Sequence, residues 1–351
     1  MMTLNIAFVS KLLIIPIFFG IFVSLFALFA VYAERKISAR VQNRIGPNRV
    51  GPYGLLQTIA DILKLIQKEA PYPFGSDKIF FNLAPILSFA ASFVIFSVLP
   101  FNYYLCGLDL NLGLIFIIAI GGFNVISILF AGWSSNNKYS LLGSMRSASQ
   151  MISYEIPIAL IFAAVFIAFN SLNTIDITKA QENYFFNWNI FGGDNHLLKR
   201  ILIIPFSAIS VIILFIAFLA EANRTPFDIP EAESELVAGF HTEYSGIKFS
   251  FFFLAEYSNM FIAAALISII FLGGFSSPFG YIGSLLNSNF IINIEQFFWF
   301  TIKSLSIVFL QMMVRWTLPR LRADQLMNLC WKYLIPYSLV AVFYALIISY
   351  I

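Results

Sequence analysis

Long apolar runs alternate with shorter charged stretches along this chain, and the length of the runs decides the element type. Segments at about 12–33, 79–101, 110–132, 155–172, 201–221, 249–273, 296–315 and 332–350 each approach the ~20 apolar residues a helix needs to cross hydrocarbon. They predict an all-α, polytopic integral membrane protein of eight spans, read as one membrane domain over 1–351, with both termini on one side. The first run is too long for a signal-peptide core and no small-residue cleavage site follows promptly, so it is expected to stay as a span. Between the first two runs, GLLQTIADILKLIQKE (54–69) puts Leu55, Ile59, Ile62, Leu63 and Ile66 on one helical face, with Gln57, Asp61, Lys64 and Lys68 largely elsewhere. That spacing predicts an amphipathic helix lying in the interface rather than crossing it. Gly46-Pro47 and Gly51-Pro52 mark turns on the approach to it. Segments 173–200 and 274–295 read as ordinary outward loops, and no internal repeat is visible.

Charge then orients the spans. The loops at 34–78, 133–154 and 222–248 and the last loop together hold sixteen Lys and Arg, from Arg35 through Lys332. The other side holds four, Lys11, Lys179, Lys199 and Arg200, with Lys303 left inside the seventh span. Basic residues accumulate on the cytoplasmic or matrix face, so the charged loops are expected inside and both termini on the periplasmic or intermembrane side. A chain that is 60% hydrophobic and 11% charged cannot carry the solvated exterior of a soluble globule. Its formal net charge of +3 says less than the clustering of those charges.

Several chemistries are absent from the pattern. Cys106 and Cys330 have no CxxC partner, which removes a disulfide framework and a cysteine-ligated cluster and leaves them as small buried hydrophobes. His196 and His241 both fall in loops, so no helical pair exists for haem. Nor does a GxGxxG fingerprint, a phosphate loop or a metal-spaced cluster occur. The chain alone is expected to hold no redox centre and no metal, and to bind neither nucleotide nor nucleic acid.

What stands out is acid. Residues 221–256 contain Glu221, Asp228, Glu231, Glu233, Glu235, Glu243 and Glu256, seven of the eighteen acids, against Arg224 and Lys248. If Pro230 opens a helix, Glu231 and Glu235 share a face, and like charges at that spacing raise one another's proton affinity. An acidic first turn behind proline is equally what a well-capped, solvated helix start looks like. Glu155, Glu221 and Glu256 fall at or inside span ends, where an ionisable group by default marks an ion route or a ligand, although span ends can also be satisfied by snorkelling and water. Glu34 reads either as an interfacial anchor beside Arg35 and Lys36 or as a member of that route. The ladder Arg35, Lys36, Arg40, Arg44, Arg49 is mostly orientation signal and headgroup contact. Lys303, near Glu295, is either half of a structural pair or part of a charged path.

Four stretches resemble the quinone-site membrane subunit (the H subunit, also called subunit 1) of proton-pumping NADH:quinone oxidoreductase, respiratory complex I: ERKISARVQNRIGPNRVGPYGLLQTIADILKLIQKE (34–69), AGWSSNNKYSLLGSMRSASQMISYE (131–155), AEANRTPFDIPEAESELVAGFHTEYSGIKFSFFFLAEY (220–257) and VRWTLPRLRADQLMNLCWKYLIP (314–336). They cover about a third of the chain and every inside loop. The chain departs from some members, which read Arg-Tyr-Asp, at Arg322-Ala323-Asp324.

The resemblance implies eight spans with outward termini and a place at the heel of the membrane arm, where the subunit forms the entrance and much of the tunnel for a quinone. Quinone is then bound substrate, and the iron–sulfur cluster and flavin are expected on partner subunits. Those partners are cluster-bearing and quinone-site peripheral-arm subunits, small membrane-arm subunits and antiporter-like subunits, with lipid around them. Carried over, tunnel and quinone access fall on Arg35, Arg44, the amphipathic helix from Gly54, Phe249, Phe253 and Arg320. Proton coupling falls on Glu34, Glu155, Glu221, Arg224, Asp228, Glu231, Glu233, Glu235 and Glu256, with no catalytic residue in this chain alone. Phrases such as SNNKYSLLGSMRSASQ and GFHTEYSGIKF resemble bacterial members more than mitochondrial ones, which favours a bacterial plasma membrane over the mitochondrial inner membrane. A stand-alone secondary ion transporter would show related halves with sites near the midplane, whereas here the unusual charges gather on one face. The equivalent subunit of a related hydrogenase or ferredoxin-linked complex would share this design.

Overall fold

The computed structural model describes residues 6–182, 184–193, 197–229, 237–281, 283 and 288–350. Glu231, Glu233 and Glu235 lie outside the described residues, as do Pro230 and His196. Among the described residues there is no β-strand. Among them eight helices are long and apolar enough to cross a membrane, as expected where no water is present to satisfy backbone groups and each segment must bond internally.

In chain order the helices are α1 (Ile6–Val41), α2 (Gln57–Gln67), α3 (Lys78–Phe96), α4 (Gly113–Ser134), α5 (Lys138–Phe169), a short α6 (Thr174–Lys179), α7 (Leu197–Glu221), α8 (Gly246–Phe271) and α9 (Asn289–Thr317). The chain finishes with α10 (Ala323–Leu329), a π turn at Cys330–Leu334 and α11 (Ile335–Tyr350), which together make the eighth crossing. Side-chain caps set several starts: Asp77 accepts from the Ile79 amide, Asn137 from Tyr139 and Asn173 from Ile175. α5 stops at Asn170, which adopts the left-handed conformation and returns its N–H to Phe166.

α8 is the centre of the bundle. Of its most apolar window 78% is buried, against 28% for the first and last crossings, which therefore form the periphery. It packs on α3, α9 and α7, and its run Ala263-Ala264-Ala265 is buried throughout. Small side chains let backbones approach where lipid supplies no hydrophobic drive between helices. Phe261 of α8 anchors an aromatic cluster, with Phe26 at 4.9 Å and Phe22 at 5.1 Å.

Two helices outrun their apolar runs. α1 continues through the first charged residues to Val41, so Glu34, Arg35, Lys36 and Arg40 ride on a helix. Its buried stripe of Phe19, Val23, Ala27, Ala30, Glu34 and Ser38 steps by three or four residues, which places Glu34 at a core position. α5 begins at Lys138, so Glu155 lies within a helix rather than at its entrance. The segment from 173 is not the plain loop its composition suggests, because α6 and two 3-10 turns fold Gln181 and Asn189 into the bundle end.

Candidate functional site

Glu34 sits at the junction of α1, α8, α9 and the turn after α7, and is 5% exposed. Tyr257 of α8 donates its hydroxyl to Glu34 Oε2 at 2.5 Å. Arg315, at the end of α9, bonds the other carboxylate oxygen. Arg224 Nη1 lies 3.5 Å from Oε2. A carboxylate with two guanidiniums and a phenol around it has the partners a buried charge requires.

Arg224 joins this group to a second carboxylate. Its guanidinium lies 4.3 Å from the Tyr257 ring centre, and its Nη2 is 3.9 Å from Glu256 Oε2. Burial works against that charge, but Tyr257, Glu34 and Glu256 together hold the arginine above its ordinary proton affinity. Glu256 in turn is 3.3 Å from His241 Nε2, which a 3-10 turn at Gly239–His241 brings under α8.

From Glu256 the polar line continues inward along α8. A small cavity of about 10 Å³ is lined by Glu256, Asn223, Asn124, Asn259 and Glu221. A second, of about 30 Å³, shares Asn124, Asn259 and Glu221 and adds Glu155. The second has room for about two water molecules. α4 leaves that room by carrying glycine there: a Cβ at Gly121 would stand 3.4 Å from Glu221 Oε1, and one at Gly122 3.9 Å from Glu155 Oε1.

Beside this chain of acids lies a larger apolar cavity of about 510 Å³ between α1, α2 and α8, lined by Leu28, Val31, Ile62, Ile66, Phe249 and Phe253 among others. α2 closes one side of it. Gly246 permits that contact, since a Cβ there would meet the Lys68 carbonyl at 2.6 Å, and its φ of 60° would strain any larger residue. At the cavity rim Arg35 pairs with Asp61 at 2.5 Å, and Gln57 also donates to Asp61. Past that pair is an open basic pocket lined by Arg35, Arg44 and Arg49. Phe249, Phe253 and Tyr257 stand one helical turn apart on α8, with neighbouring ring centres 6.0 and 4.9 Å apart. One stripe therefore runs from the apolar cavity to the hydroxyl on Glu34.

The residues singled out in the sequence thus fall into three groups. Glu34, Arg224, Glu256, Glu221 and Glu155 form one connected line, and Arg35, Phe249 and Phe253 line the apolar cavity with Arg44 in the basic pocket. Asp228 and Arg320 pair with each other at 3.0 Å, the aspartate buried and the arginine half exposed. Lys303 does not pair with Glu295: its ammonium donates to the carbonyls of Leu272, Gly274 and Ser276. The site also draws in Tyr257, Arg315, His241 and Gln150, which the sequence pattern does not assign to it. Tyr257 and Glu256 were adjacent clues to a polar break in an apolar run, but nothing local marks the other three.

The profile of the family described as NADH dehydrogenase matches residues 13–346 of this chain. The chain is similar to the H subunit of NADH-quinone oxidoreductase from Chlorobaculum tepidum, at 50% identity over 325 residues covering 92% of this chain and 88% of that protein. It is also similar to the protein of Cytophaga hutchinsonii named as H subunit 2 of that enzyme, at 44% identity with 90% and 93% covered, and to the H subunit from Geobacillus thermodenitrificans, at 44% identity with 93% and 92% covered.

Proposed function

Because this chain belongs to the NADH dehydrogenase family, as an H subunit of the enzyme complex NADH-quinone oxidoreductase, we propose that it forms the quinone entry tunnel of that complex and couples quinone reduction to proton translocation. It works in the membrane with the other subunits of the complex. The observation that carries the reading is the α8 stripe, in which Phe249 and Phe253 face the apolar cavity and Tyr257 one turn on bonds the buried Glu34.

An isoprenoid tail is apolar and long, and a cavity of about 510 Å³ between α1, α2 and α8 suits it by shape and polarity. Arg35, Arg44 and Arg320 guide the polar headgroup toward the neighbouring subunits that complete its site. Flavin and iron–sulfur clusters belong to the peripheral-arm partners, and the antiporter-like subunits receive the signal.

Coupling is electrostatic. Glu34 and Glu256 share Arg224, so a change of charge or position at one alters the guanidinium's hold on the other. Glu256 reaches Glu221 and Glu155 through cavities small enough to order a few waters. The coupling role includes Asp228, which pairs with Arg320, and Glu231, Glu233 and Glu235 of the same acidic stretch of sequence. The charged loops face the cytoplasm and the termini the periplasm of a bacterial plasma membrane, following the excess of basic residues.

Glu256→Gln in the assembled enzyme tests the reading, because the amide keeps the shape and loses the charge. Proton pumping is expected to fall at least tenfold while NADH oxidation by an artificial acceptor persists. Normal quinone turnover with normal pumping would exclude Glu256 from the relay.

A further inference from the structure

The end of the bundle farthest from Glu34 holds another buried charge. α9 places Lys303, 7% exposed, against the end of α8. Its Nζ donates to the carbonyls of Leu272 at 2.7 Å, Gly274 at 3.1 Å and Ser276 at 2.6 Å. An ammonium has three donors and no acceptor, so three carbonyls match the protonated amine and would repel the lone pair of a neutral one. The Trp188 ring centre lies 4.0 Å away, and its Nε1 donates to Ser276 Oγ. Among the described residues no carboxylate lies within ion-pair distance of Lys303.

The surroundings are as complete. Gln181, fully buried, donates to the carbonyls of Ile269 and Ile270 and accepts from the amides of Asn189 and Gly273. The carbonyls that a helix end leaves unsatisfied are thus answered by Gln181 and Lys303, and the negative end of the α8 dipole favours the cation.

Between this plug and the carboxylates lies a closely packed, mostly apolar stretch of α8. The Glu155–Glu221 cavity reaches along α8 as far as Leu266. Beyond it Ile267, Ile269, Ile270 and Phe271 are all 2% exposed or less, with the buried Ser268 the one polar side chain among them. Leu272 is about 9 Å further along the helix than Leu266, at about 1.5 Å per residue. A proton leaving the cavity toward that end meets a closely packed stretch and then the ammonium held by three carbonyls, and a narrow constriction and a positive charge are the two devices by which membrane pores exclude cations.

We propose that Lys303 is an electrostatic barrier which keeps protons held by Glu155 and Glu221 from escaping through the far end of this subunit. The proposal rests on those carboxylates carrying protons. It gives the buried ammonium a function beyond capping α8, and it confines proton traffic to the lateral line of acids.

The test uses the whole enzyme in sealed proteoliposomes without NADH, an imposed pH difference and an entrapped pH-sensitive dye. Lys303→Gln keeps two donors for the same carbonyls and removes the charge; Lys303→Arg keeps the charge. The Lys303→Gln enzyme is expected to leak protons faster on the order of tenfold, the scale of one unit charge acting over about 10 Å at an effective dielectric near 20. Lys303→Arg should stay as tight as the native enzyme. A Lys303→Gln enzyme as tight as native overturns the barrier, and so does a leak that passes chloride as readily as protons, which would mean loosened packing. Failure of both Lys303→Gln and Lys303→Met to assemble, while Lys303→Arg assembles, also overturns it in favour of a structural clamp. Glu221→Gln separates the two ideas: loss of pumping there beside a tight Lys303→Gln removes the barrier alone, whereas normal pumping removes the relay beneath it.

Discussion

The side-chain amide of Gln150, on α5, donates to the main-chain carbonyl of Phe227 at 2.8 Å and so ties a spanning helix to the turn that carries Arg224 and Asp228. The same nitrogen reaches the Ala220 carbonyl at 2.8 Å and Asn223 Oδ1 at 3.2 Å, and Gln150 is 2% exposed. Gln150→Leu keeps the volume but leaves the buried Phe227 carbonyl without a donor, which costs about 1–3 kcal/mol. The midpoint of heat inactivation of the assembled enzyme is expected to fall by several degrees, and a curve superimposable on native would deny the clamp.

Glu34 is the partner of Arg224, Arg315 and Tyr257 together. Glu34→Gln leaves Arg224 buried with only the more distant Glu256 opposite it, and removing one side of a buried pair costs about 3–5 kcal/mol. Membranes should contain several-fold less assembled complex, read by native gel. Asp61→Asn breaks only the half-exposed pair with Arg35, for which ~0–1 kcal/mol is at stake, so its complex should accumulate normally.

The apolar cavity carries a prediction about substrate length. Leu254 lines it from α8, and Leu254→Trp fills part of the space. KM for a long-tailed quinone should rise several-fold, while KM for a short-tailed analogue changes by less than about twofold, since one added ring removes a modest part of the tail's contact area. Equal effects on both would place the tail elsewhere.

Cys106, in the segment between α3 and α4, has its thiol pushed up from 9.0 to about 11, first by burial and then by the charge of Asp109. A raised native pKa means the folded chain holds the proton more tightly, so this contribution to stability is complete below pH 9 and is lost as pH climbs toward about 11. Alkylation of Cys106 in intact membranes should be slow at pH 7.5 and accelerate only near that upper value, because the thiolate is the reactive form. Rapid labelling at neutral pH would contradict its environment.

The hydrophobic pattern alone determined the eight crossings, the separate amphipathic helix and the gathering of charge into a few loops, because helix formation in lipid depends on local apolar content and a period of 3.6 residues. Even the inward turn of Glu34 was written locally, since it continues the stripe Val23, Ala27, Ala30. Which charges meet was not. Glu34 finds Arg224, Tyr257 and Arg315 across 190, 223 and 281 positions of chain, and His241 reaches Glu256 only because a 3-10 turn tucks beneath α8. Lys303 lay eight positions from a glutamate and took backbone carbonyls instead, since the end of α8 presents three acceptors at its level. Periodicity is a property of neighbours in sequence and survives without a fold. Ion pairing in a buried site depends on which helices pack together, and that was settled only when α8 took the centre of the bundle.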